Sequence, residues 1–450
     1  MGNSSISSSP PRWTLFATLL ILSAATLALG ADGTAAKFGA CGAASLLAAR
    51  LLATGRLMGL PRDVAASFLI ALAILTAIEA SQGRFVSAAP ELASLIAAAA
   101  FFVVGSALSQ RRPQRKAAIR AVTLVLLAIT VISFVDFAVS PAERFGFDKP
   151  YHDNRMSAPF LSANTAATFY GLVSLWAIGQ WLAIWRRANR KGLGWTHTLS
   201  DGGGLPAITL IFSLTSLVLT GSRAGIVLAG VSMLALIGMS VGVDHLRRHK
   251  LWAGGCAVVA GLALLALVGG EIIASRFADD AFGATGRGPL WSACLAAIAD
   301  RPWMGWGLDG FDQALAAQMT RENAASLILQ GAAHNVILQW LMQIGVIGTL
   351  AMAVPIVLLF RHLGSAARRH TENRTQIRLV VVMGSFVFLH GQLDYALEIP
   401  AILWWVAFFL GWGQGASVAS RGCGIPKRNL LTIGRSRFDS DRFCDCNHSR

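Results

Sequence analysis

Hydropathy constrains this chain before anything else does. Apolar stretches of about 20 residues, long enough for a helix to cross the hydrocarbon core of a bilayer, recur along almost its whole length. Their centres fall near Leu22, Ala44, Ala71, Ala98, Leu127, Leu175, Phe212, Met233, Gly261, Val346, Phe386 and Phe408. A backbone in lipid must satisfy its own polar groups, which restricts it to helices or closed barrels, and runs of this length select helices. The pattern predicts an all-α, polytopic integral membrane protein with about 12 transmembrane helices. Composition agrees: 54% of the 450 residues are hydrophobic and only 14% are charged, too apolar for a soluble domain.

A net charge of +15 could suggest nucleic acid, but the basic residues follow the loops instead of gathering on one domain. They sit at Arg12, at Arg50, Arg56 and Arg62, from Arg111 to Arg120, from Arg186 to Lys191, at Arg247, Arg248 and Lys250, from Arg361 to Arg378, and in the tail beyond Ala416. These positions are alternate connections between spans. The positive-inside rule then places both termini in the cytoplasm, with membrane lipids and no nucleic acid as surroundings. Leu15 to Leu29 is apolar and is followed by small residues, as in a signal peptide. Only Arg12 precedes it closely and many spans follow, so it is expected to stay as an uncleaved first helix.

The expected organisation is a cytoplasmic segment over 1–13, transmembrane helices 1–9 over 14–270, a long outer loop over 271–333, helices 10–12 over 334–416, and a cytoplasmic basic tail over 417–450. Specificity should reside in the long loop. Pro289 to Ala299 carries apolar residues at helical spacing, with Pro289 suited to a first helical position. The stretch Trp303 to Phe311 is aromatic and Gly-rich, suited to the bilayer interface or to stacking on sugar rings. Cysteine adds little: Cys41, Cys256 and Cys294 are scattered, and Cys423, Cys444, Cys446 and His448 match no standard zinc spacing.

With that topology, three segments converge on the outer face. The turn Thr220-Gly-Ser-Arg223-Ala-Gly joins spans seven and eight, with Gly221 permitting the reversal and Ser222 capping the returning helix. Arg287 stands just before Pro289, and His334 with Asn335 opens the tenth span. Helix N-termini attract anions through free amides and the dipole. An arginine there adds a planar, permanently charged fork for phosphate oxygens. Together these features suggest a site for a diphosphate. His390 lies four residues before Asp394 near the outer end of the eleventh span, a spacing at which helical side chains can touch. Asp136, Asp148 and Asp153 also face outward, which leaves room for a carboxylate-metal mechanism, but outside the Asp279-Asp280 doublet no D-x-D or other tight acidic pair argues for it.

These segments resemble the signature of the O-antigen ligase and O-antigen polymerase superfamily of bacterial envelope proteins. The matching pieces are the S-R-A-G turn, then G-R-G-P-L-W around Arg287 and Trp291, then D-R-P-W-M-G-W-G-L-D-G-F, then A-H-N-V-I-L-Q-W-L-M-Q-I-G-V-I-G beginning beside His334. Weaker echoes are P-F-L-S-A-N ending at Asn164 and D-Y-A-L-E-I-P beginning at Asp394. The resemblance runs from about Pro159 to Pro400.

It implies a GT-C-like fold in the bacterial inner membrane, with the active site facing the periplasm. It implies glycosyl transfer from an undecaprenyl diphosphate-linked glycan to a sugar hydroxyl on a glycolipid acceptor, without nucleotide sugar, metal or other cofactor. Arg223 and Arg287 would stabilise the leaving diphosphate, and His334 would serve as general base because imidazole titrates near neutrality. An in-line attack would invert the anomeric centre. Ser222, Asn335, Asn164, Trp291, His390 and Asp394 are the expected substrate-binding residues, with Asp394 a possible partner for His390. O-antigen ligation onto lipid A-core leads. A polymerase that joins lipid-linked repeat units is the alternative within the superfamily, and a polysaccharide transporter or flippase is the alternative outside it.

Overall fold

Basic residues, glycines and prolines punctuate the apolar runs and set the helix ends. The computed structural model describes residue 10 and residues 12–54, 59–149, 154–193, 195–241, 284–328, 330–369 and 373–422. Its helices are α1 (Arg12–Leu27), α2 (Thr34–Ala53), α3 (Arg62–Ser81), α4 (Phe85–Gln110), α5 (Arg112–Val139), α6 (Ala163–Asn189), the short α7 (Trp195–Thr198), α8 (Gly204–Leu219), α9 (Arg223–Val241), α10 (Ala284–Asp300), α11 (Phe311–Ala317), α12 (Ala324–Leu327), α13 (Val336–Arg368), α14 (Arg374–His390) and α15 (Pro400–Gly422). Extended structure among the described residues is confined to two antiparallel two-residue strands, β1 (Glu143–Arg144) and β2 (Phe147–Asp148).

The fold is the expected all-α, polytopic membrane architecture. Each expected span centre falls in one of these helices except the one near Gly261, which lies outside the described residues, as do Cys256, Asp153, the Asp279-Asp280 doublet and the cysteine-bearing tail. Nine helical stretches among the described residues are long and apolar enough to cross a membrane, one of them Thr196–Leu219, which runs through α7 into α8. Helices α1 and α14, at 16 and 17 residues, fall short of the usual span of about 20. Leu46, Leu69, Ile211, Val227 and Leu350 are each more than half exposed. An apolar surface of this extent suits lipid and not water.

Close helix approach builds the centre of the bundle. Gly411 and Gly415, four apart on α15, lie against the carbonyls of Phe102 and Ser106 of α4, and Gly105 of α4 lies against the carbonyl of Phe408. Only a missing side chain permits that approach. Trp176, Trp404, Trp405 and Trp412 are fully buried. Their indole N–H groups donate to Thr123 Oγ1, Ser94 O, Thr26 Oγ1 and Gln376 Oε1, as buried indoles require.

A second, smaller core belongs to the long loop. Leu290, Cys294 and Ala297 of α10 pack with Trp306, Phe311, Leu315 and Leu327, and with Met342 of α13. Helix α10 begins at Ala284, one turn and more before Pro289, so the proline lies inside the helix. At that position a proline removes one backbone hydrogen bond and crowds the carbonyl four residues earlier. Helix α13 is broken at Gly345, whose φ of 63° and ψ of −172° are open essentially to glycine alone. The half-helix Val336–Ile344 therefore belongs with the loop module, and the long apolar run continues beyond the break.

Candidate active site

The connections at one end of the bundle bring together residues from four separated parts of the chain. Helix α6 starts there, capped by Ser162 Oγ accepting from the Asn164 amide at 3.2 Å. The turn between α8 and α9 lies beside it, reversing at Gly221 with φ of 60°. Ser222 Oγ accepts from the Gly225 amide at 3.3 Å, so Ser222 caps α9 as its sequence position suggests. Arg223 is the first residue of α9 and is half-buried.

Gly225 explains why the turn reads S-R-A-G. A β-carbon there would come within 2.7 Å of the Ala167 β-carbon and 3.4 Å of His390 Nε2. The turn is thus seated directly on α6 and on the end of α14. His390 is buried, and its Nδ1 lies 2.7 Å from Thr168 Oγ1. Its ring stacks parallel to Phe386, with centroids 6.0 Å apart.

His334 lies just before α13 with φ of 52°, a left-handed conformation that non-glycine residues adopt rarely and that accompanies functional positions. Asn335 follows as the cap: its Oδ1 accepts from the amides of Ile337 and Leu338, each at 3.0 Å, and its Nδ2 donates to Gln392 O. The Val336 amide donates to Gly391 O at 2.7 Å. Three amides of this N-terminus are therefore engaged, against the expectation that they are free.

The imidazole of His334 faces Asp394. Nδ1 and Oδ1 are 3.8 Å apart, beyond hydrogen-bond range, and neither atom has a hydrogen-bond partner although both are buried. Asp394 is fully buried, while about a fifth of the His334 side chain is exposed. Since Nδ1 is buried, that exposure belongs to the rest of the ring. Thr165 Oγ1 donates to the other oxygen of Asp394 at 3.4 Å, and Tyr395 meets the His334 ring edge-on, with centroids 5.0 Å apart. Because α14 ends at His390, the spacing to Asp394 is not a helical one, and the carboxylate is presented to His334.

The remaining expected residues take supporting places. Asn164 Oδ1 accepts from the guanidinium of Arg155 at 3.0 Å, and Arg155 Nε donates to Thr220 O at 2.7 Å. Trp291 Nε1 donates to Ala333 O at 2.9 Å, tying α10 to the residue before His334. Arg287 falls in the first turns of α10. Asp136 has a structural role, accepting from the Phe145 amide.

Sequence reasoning passed over Arg155, Thr165, Thr168, Tyr395 and Glu398. Arg155 could have been found by the signal that singled out Arg223, an outer arginine shortly before a helix start. Glu398 lines a narrow crevice with Asn335, Gln339, Asp394 and Tyr395 and accepts from Gln343 Nε2 at 3.3 Å. Burial pushes its carboxyl up to about 7.

Between the ordinary glutamate value of about 4.3 and about 7, the folded chain holds a proton that the unfolded chain has released. Stability then falls as pH rises through that window. The unfolding midpoint of the detergent-solubilised protein is expected to decline across it, and to decline less in Glu398→Gln, whose amide stays neutral throughout. Parallel profiles for the two proteins would remove Glu398 from this account.

Comparison with known families bears on the same segments. No curated protein matches the chain. Residues 208–353 match the family model described as O-antigen ligase, a stretch that contains the S-R-A-G turn, Arg287, Trp291, His334 and Asn335. That match supports the O-antigen ligase and polymerase superfamily for residues 208–353, while the segments ending at Asn164 and beginning at Asp394 lie outside it.

Proposed function

We propose that the protein is an inverting membrane glycosyltransferase of the bacterial inner membrane. It transfers a glycan from undecaprenyl diphosphate to a sugar hydroxyl at the periplasmic face, in the form of O-antigen ligation onto lipid A-core. The observation that carries this reading is the His334–Asp394 pair, 3.8 Å apart with both facing atoms buried and unpartnered, beside helix starts in the segment that matches the O-antigen ligase family.

Catalytic hydrogen bonds are often long before substrate binds. Contraction of this one would fix the proton on Nδ1 and leave Nε2 to accept the acceptor's hydroxyl proton. The acceptor oxygen attacks the anomeric carbon as its bond to the diphosphate breaks. The proton passes to His334 and the electron pair leaves with the diphosphate. Arg223 and Arg287 stabilise that developing charge, an electrostatic contribution that is commonly the largest in such reactions. The positive-inside distribution supports a periplasmic site with cytoplasmic termini.

Purified protein in lipid, supplied with undecaprenyl diphosphate-linked glycan and lipid A-core, is the test. Glycan joined to lipid A-core with inverted anomeric configuration is the expected product. Joined repeat units left on the lipid carrier would instead identify a polymerase of the same superfamily. Retained configuration would contradict the single in-line displacement.

A further inference from the structure

The break in α13 is filled by the loop. At Gly345 the helix gives up its regular ladder, and the freed groups find partners in the segment Pro302–Leu308. The Trp306 amide donates to Met342 O at 2.9 Å and the Gly307 amide to Gln343 O at 2.7 Å. In the other direction, Val346 donates to Pro302 O at 2.8 Å and Ile347 to Trp303 O at 3.2 Å. Four bonds across the break thus replace bonds along the helix, as backbone satisfaction requires at buried positions. Both partners need glycine: Gly305, with φ of 68°, lies against the Gln343 carbonyl, and Gly345 lies against that of Trp303.

Two buried side chains hold the segment in place. Glu79, at the end of α3 and 1% exposed, accepts from the Leu308 amide through Oε1 at 3.0 Å. Gln343 Nε2 donates to Leu308 O at 3.0 Å and to Glu398 Oε2 at 3.3 Å. The Leu308 backbone is therefore held at both its N–H and its C=O. A β-carbon on Gly307 would meet Arg84 Nε at 2.8 Å, so the seat fits closely. Ile344, the last residue before the break, packs in the small cluster that includes Leu75 of α3 and Leu308.

The half-helix Val336–Ile344 is thus fixed at its far end by the loop, and at its near end it carries His334. We propose that Glu79 and Gln343 are positioning residues for His334: they clamp Pro302–Leu308 into the helix break, and the clamped half-helix sets where the imidazole stands relative to Asp394. The importance of that placement for turnover rests on the glycosyl-transfer reading.

Amide hydrogen exchange on the full-length protein in lipid, paired with transfer kinetics, tests it. In Glu79→Ala, exchange over Trp306–Leu308 and over 336–344 should accelerate together by about tenfold or more, the equivalent of losing one charge-assisted hydrogen bond. Turnover should fall at unchanged donor KM. Glu79→Gln keeps a carbonyl acceptor and should restore both, and Gln343→Ala should act like Glu79→Ala by an independent route. Exchange at 336–344 unchanged in both alanine variants overturns the proposal, and so does faster exchange with wild-type turnover. A wild-type protein with no transfer activity would count against the enzymatic reading alone, because the exchange arm uses no substrate.

Discussion

His334→Ala is expected to lower glycosyl transfer by about 10²–10⁴-fold, the range that a positioned general base contributes, while protein amount and membrane insertion stay at wild-type levels. The reasons are local. His334 precedes the cap of α13 and contributes no capping bond of its own, because Asn335 engages the Ile337 and Leu338 amides. Its conformation is left-handed, so a histidine is held where the backbone gains nothing from it. Removing the imidazole removes a proton acceptor and leaves the helix start intact. The measurement is turnover of lipid-linked glycan by purified protein, normalised to folded protein. Turnover within a fewfold of wild type would move the base assignment to His390, which is buried at this end of the bundle.

The second large effect is expected at Asp394. Asp394→Asn preserves shape and can still accept from Thr165 Oγ1 through its carbonyl, but it no longer offers a carboxylate to Nδ1 of His334. In an Asp–His arrangement the carboxylate selects the tautomer and stabilises the imidazolium that forms, and its amide replacement costs up to about 10⁴-fold in the best studied case. Here the pair is longer and has to contract, so a loss of about 10²-fold or more in turnover is expected, with little change in donor KM. The double variant with His334→Ala should be no worse than His334→Ala alone, because residues acting as one unit are strongly non-additive. Additive losses from the two changes would separate Asp394 from His334 and return it to a structural role.

Much of the fold was legible because membrane insertion leaves few choices. Long apolar runs can only be helices, and the basic loops alternate along the chain. The S-R-A-G turn was legible for a related reason, since glycine, serine and arginine each have a local task at a reversal followed by a helix start. What could not be read were contacts across long sequence separations. Asp394 is paired by spacing with His390, yet the helix ends at His390 and one carboxylate oxygen faces His334, a residue just before another helix. The amides expected to be free at His334 are engaged by Asn335 and Gly391. The break at Gly345 was hidden within an unbroken apolar run, because a glycine there is indistinguishable in sequence from one that eases helix packing. Its cause lies in the Gly-rich loop some forty residues earlier in the chain, a stretch whose aromatic residues suggest the bilayer interface and whose backbone fills the break.

Whether His334 is the base in transfer from a lipid-linked glycan is read out in the cell. The envelope glycan profile of a deletion strain is compared after complementation with wild type or with His334→Ala at equal membrane levels. The account predicts that wild type restores glycan ladders on lipid A-core, while His334→Ala leaves the ladders absent and polymerised, undecaprenyl-linked chains accumulated on the periplasmic leaflet. A normal ladder from His334→Ala would contradict the account.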